Sequence, residues 1–77
     1  MSNLLGWQMA CRLFASGDRK VEYLYVADDL PNPEQVAMAY DKIVRLFAIG
    51  REQPGNEDAQ VHRIELLITP ETEGSER

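Results

Sequence analysis

From Leu5 to Phe14 the apolar side chains alternate. Leu5, Trp7, Met9, Cys11 and Leu13 share one parity, and Gly6, Gln8, Ala10 and Arg12 share the other. A period of two marks a strand with one buried face. Ser16-Gly17-Asp18-Arg19 follows, and its Gly17-Asp18 pair suits a two-residue hairpin turn of type II′. The run Val21-Glu22-Tyr23-Leu24-Tyr25-Val26, rich in β-branched and aromatic residues, predicts a second strand. A third is predicted from Val61 to Thr69, with Ile64, Leu66 and Ile68 on one side and Arg63 and Glu65 on the other. Pro70, which has no N–H for a ladder, is expected to end it.

Between the second and third strands the pattern changes to a helical one. Val36, Tyr40, Ile43 and Phe47 form a stripe at the spacing of one helix face, while Ala37, Met38, Val44, Ala48 and Ile49 lie off it. Asn32 is a good N-cap, because its side-chain oxygen accepts from the free N–H groups of the first turn. Pro33 fits the first helical position, and Gln35 suits the partner role of a capping box. Gly50 is expected to close the helix in a left-handed conformation. A helix apolar beyond one face needs a second thing to cover it.

The element order is therefore ββαβ. A helix returning along the sheet leaves the third strand antiparallel to the first. Beside the first strand it completes a three-stranded antiparallel sheet of order 2-1-3 with one helix on one face, an α+β fold. Order 1-2-3, with a parallel pair, is the alternative. Residues 1–70 form one small domain in this reading, and 71–77 a disordered acidic tail. A two-residue turn pairs Ser16 with Arg19, Cys11 with Leu24 and Met9 with Val26. Leu24 and Val26 then lie beneath the helix, while Arg12, Phe14, Tyr23 and Tyr25 lie on the uncovered face. A loop of odd length slips the register by one and exchanges the second strand's faces.

Size and charge narrow the functional classes. A chain of 77 residues is one domain and buries only about 60% of its unfolded surface. Its single cysteine, Cys11, allows neither an internal disulfide framework nor a cysteine-rich zinc site. Small domains lacking such staples often gain stability by oligomerising. The net charge is −5, and most of it lies from Arg51 onward, where seven carboxylates face Arg51, Arg63 and Arg77. Nucleic-acid affinity comes from clustered Lys and Arg, so a basic protein is the better expected partner. The run Leu4-Leu5-Gly6-Trp7 has no basic stretch before it and is soon interrupted by Arg12, so a cytoplasmic protein without membrane contact is expected.

Cys11 and His62 are the one tempting catalytic pair. If Trp7 meets Leu66, the two fall side by side, but no third group is evident to orient them. Asp28-Asp29 and Glu57-Asp58 lack the spacing of a hard-metal loop and are read as solvated acids that steer a basic partner. No phosphate loop, dinucleotide fingerprint, zinc-protease or nucleophile-elbow motif occurs, so neither a cofactor nor a metal is expected. Aromatic residues interleaved with Arg12 and Arg63 are residue types of a base-stacking platform, but also of protein contact cores.

The leading expectation is thus a non-catalytic protein-interaction module that self-associates as a homodimer and binds a basic protein, with inhibition by nucleic-acid mimicry as its narrower form. Arg12, Phe14, Tyr23 and Tyr25 are the expected contact residues, with Met38 and Ile49 as a second apolar site on the helix. The rivals are a small enzyme or ligand-binding subunit using Cys11 and His62 between protomers, and single-stranded nucleic-acid binding on the aromatic face.

Overall fold

The computed structural model describes residues 4–72. Four elements follow one another: β1 (Leu4–Ala15), β2 (Arg19–Ala27), α1 (Pro33–Arg51) and β3 (Val61–Thr72). The strands form one antiparallel sheet in the order β2-β1-β3, with α1 on one face. This is the α+β arrangement that the sequence pattern predicts. The acidic stretch from residue 73 onward lies outside the described residues, whereas Glu71 and Thr72 belong to β3.

The helix begins as its cap dictates. The Asn32 side chain accepts from the Gln35 N–H at 2.8 Å, and the Gln35 side chain accepts from the Asn32 N–H at 2.9 Å. Both partners of the capping box are therefore in place. At the other end the expectation needs correcting. Gly50 stays helical, and α1 runs on to Arg51 with Glu52 as C-cap in right-handed conformation. Asn56 explains this, because its amide donates to the Gly50 carbonyl at 3.0 Å and supplies the cap that a left-handed glycine provides elsewhere.

The core lies between α1 and the β1–β2 half of the sheet. Met9, Cys11, Leu13 and Ala15 of β1 meet Ala39, Ile43 and Phe47 of α1, closed off by Ala59. Ala39 takes the core position expected of Tyr40, whose side chain is exposed. α1 lies over β1 and β2 alike and not over β3. The inward residues Ile64, Leu66 and Ile68 of β3 are consequently only half buried.

The hairpin register differs by one from a tight two-residue connection. Ala15, not Ser16, pairs with Arg19, so Cys11 faces Tyr23 and Met9 faces Tyr25. Gly17 and Asp18 both have positive φ, 73° and 59°, whereas a type II′ turn has it at the first central position alone. Ser16 is withdrawn from the ladder by Gln60. Its N–H donates to the Gln60 carbonyl at 2.9 Å, and its hydroxyl accepts from the Gln60 N–H at 3.0 Å. The Arg19 guanidinium locks the corner, donating to the Ser16 carbonyl at 2.7 Å, Asn56 Oδ1 at 3.0 Å and the Gly55 carbonyl at 3.1 Å. One residue of slip turns the whole of β2 over.

β3 is also longer than expected. It continues through Pro70 to Thr72, and Pro70 pairs with Trp7. A proline is tolerated there because β3 is an edge strand, where an N–H can be missing without breaking a ladder. The register of β3 shifts between Phe14↔Arg63 and Ala15↔Val61, leaving His62 as the unpaired extra residue.

Candidate contact surface

The sheet face away from α1 is built from the even positions of β1 and β2 and the odd positions of β3. Reading across the strands, the rows are Val26–Gln8–Thr69, Leu24–Ala10–Leu67, Glu22–Arg12–Glu65 and Lys20–Phe14–Arg63. Leu24, Ala10, Leu67 and Val26 make one half of this face largely apolar, bordered by Gln8 and Thr69, and the other half carries the charges, with Phe14 among them. Leu24 is 56% exposed, Val26 65% and Leu67 54%, whereas Ala10 between them is buried.

The charged half is internally paired. Arg12 Nε donates to Glu22 at 2.6 Å, and Arg63 Nε to Glu65 at 2.8 Å. The Arg63 guanidinium also lies 4.1 Å from the centre of the Phe14 ring, a cation–π contact. The hydrogen bond and charge of Arg12 hold the Glu22 carboxyl below its ordinary range, and Glu22 in turn raises Arg12. Arg12 and Phe14 therefore stand on the open face, as the alternation of β1 implies.

Tyr23 and Tyr25 do not. The slipped register places both on the helix-covered side, packed against the core and half buried. The Tyr25 hydroxyl accepts from the Gln35 amide at 3.0 Å, and Lys42 lies 6.0 Å above the Tyr23 ring. The expected aromatic platform is thereby dissolved, leaving Phe14 as the aromatic ring on the open face, already covered by Arg63. Leu24 and Val26 take the exposed positions instead. Leu67, opposite in parity to Leu66, was legible as an open-face residue from the sequence, whereas Leu24 and Val26 required the register.

Met38 and Ile49 are 65% and 59% exposed on α1. Met38 stands beside Tyr23 and Tyr25 at the rim of a hollow of about 140 Å³ that also includes Met9, Gln35 and Ala39. This is well below the roughly 300–1,000 Å³ of a small-molecule site.

Cys11 and His62 are not brought together. Cys11 pairs with Leu66, while His62 bulges out, exposed, at the far end of β3. Cys11 is fully buried, and burial pushes its thiol above the ordinary range. The expected steering acids are all exposed but divided. Asp28 and Asp29 follow the end of β2, while Glu57 and Asp58 lie near its start, where the Gly55–Asn56 loop is held by Arg19. A nine-residue strand separates them, roughly 30 Å. Glu57 is partly engaged, accepting from the Gly55 N–H at 3.1 Å.

Among the described residues, no group of three or more His, Cys, Asp or Glu side chains is placed to hold a metal ion. No described helix is long and apolar enough to cross a membrane. Compared with known protein families, curated proteins and solved structures, the chain matches none.

Proposed function

We propose that this chain is a small non-catalytic protein-interaction module that self-associates and binds a second protein of basic surface. The observation that carries the reading is the apolar surface left bare on both layers: Leu24, Val26 and Leu67 on the sheet, Met38 and Ile49 on the helix. Leu24, Val26 and Leu67 stand in neighbouring rows of the sheet, and exposed apolar patches mark contact sites. The net charge of −5 and the exposed Asp28 and Asp29 favour a basic partner, with inhibition of a nucleic-acid-binding protein as the narrower form of the same reading.

The separation of Cys11 from His62, and the raised thiol of a buried Cys11, favour binding over nucleophilic catalysis. Loss of the aromatic platform to the core, together with the ion-paired Arg12 and Arg63, weighs against base stacking. Light scattering at rising concentration is expected to give a mass above that of one 8.8 kDa chain. A single-chain mass at every concentration overturns the self-association.

A further inference from the structure

The sheet has two free edges, and they are not alike. β3 carries Pro70, which lacks an N–H, and the unpaired His62 that breaks its register. Both are devices that discourage edge pairing. β2 has neither: its nine residues, Arg19 to Ala27, hold one unbroken register with β1 and include no proline. Resting on the reading above, we propose that a second copy of this chain pairs edge to edge with β2, and that the two α1 helices pack together across the same twofold axis.

The position of α1 makes these two contacts compatible. Neighbouring strands lie about 4.8 Å apart. Taking α1, which packs on β1 and β2 and not on β3, to run midway between those two strands puts its axis about 2.4 Å inside β2. An axis midway between two β2 strands is about 2.4 Å outside β2, so the helices are about 10 Å apart, at the usual packing distance of 8–10 Å. Pairing through β3 instead leaves them about 19 Å apart, beyond contact. Only the β2 edge lets strand and helix be covered together.

The helix flank on that side suits the contact. Gln35 reaches Tyr25, Lys42 lies over Tyr23, and Met38 stands beside both rings, so this flank overhangs β2. Leu46 and Ile49 continue the flank at four and seven residues beyond Lys42, and both are exposed. The flank is about 30 Å long by strand rise, and a helix of about 10–12 Å diameter stacked on a strand makes it roughly 15 Å tall. That is roughly 450 Å² in projection per copy, hence about 900 Å² in total, close to the size at which specific interfaces begin. The continuous six-stranded sheet so formed brings Leu24 and Val26 of both copies together on its open face, enlarging the surface left for a different partner.

Two sets of substitutions at exposed positions test this. Met38→Lys with Ile49→Lys is expected to weaken dimerisation at least tenfold per substitution, roughly the cost of losing an interface anchor. Leu67→Lys, on the open face two strands away from β2, is expected to leave the dimer intact. Masses are read by light scattering across concentration, with far-UV dichroism confirming that each variant folds. A dimer that survives the helix substitutions, or falls apart on Leu67→Lys, overturns the edge arrangement but leaves self-association standing. A wild-type chain that is monomeric throughout overturns both. As an independent readout, Lys42→Cys adds the one exposed thiol to a chain whose Cys11 is buried. Mild oxidation is expected to link two copies through it far faster than through Val44→Cys on the opposite flank, and equal rates count against the arrangement.

Discussion

Leu13 and Arg12 are adjacent on the central strand, yet they belong to different surfaces. Leu13 is fully buried under α1, within a cluster where Met9, Cys11 and Ile43 are equally enclosed. Arg12 faces outward in a row of ion pairs, and the apolar residues near it, Leu24 and Leu67, remain in solvent. The covered face follows the rule of dense packing, in which each methylene has partners on all sides. The open face combines charge pairs worth little to stability with apolar side chains that gain almost nothing in a single copy. The same sheet thus carries the stability of the domain on one side and its capacity for contact on the other.

Substitutions on the two faces test that contrast. The largest effect is expected at Leu13→Ala, which removes a buried side chain and leaves a cavity, destabilising by about 3 kcal/mol in urea unfolding. Tyr25→Phe comes next. It deletes the hydroxyl that accepts from Gln35, at a cost of about 1 kcal/mol, whereas an outward-facing tyrosine would lose almost nothing. Leu67→Ala is expected to change stability by less than about 0.5 kcal/mol, since it uncovers nothing enclosed. If Leu67→Ala costs as much as Leu13→Ala, the open face is not open.

The smallest effect is one of pH. Arg12 holds the Glu22 carboxyl below its unfolded range, so the stabilisation is present at neutral pH and is lost as acid protonates the folded carboxylate. Arg12 stays charged throughout. Stability should therefore fall as pH drops through and below the ordinary glutamate range of about 4, and Glu22→Gln should flatten that part of the profile. The pair is exposed, so the change is expected to be slight and to shrink in high salt.

Much of this architecture is written locally. Alternation in β1 and β3 assigns their faces, and the Asn32–Gln35 box fixes where α1 begins. The candidate contact surface was less legible. Arg12, Phe14, Met38 and Ile49 are where their spacing implies, but Tyr23 and Tyr25 exchange places with Leu24 and Val26. A strand in which both parities are apolar carries no local instruction about which way to face.

Periodicity and capping, which are properties of neighbouring residues, are enough to assign the elements and their order along the chain. The choice of strand order 2-1-3 over 1-2-3, the orientation of β2 and the end of α1 were settled by contacts made in the folded chain. The end of α1 turns on Asn56, which reaches Gly50 six residues back and is itself held by Arg19, 37 positions away. The orientation of β2 turns on hydrogen bonds between Ser16 and Gln60, 44 positions apart. Those bonds draw one residue out of the hairpin ladder, and with a side-chain period of two, a single residue is enough to reverse a strand.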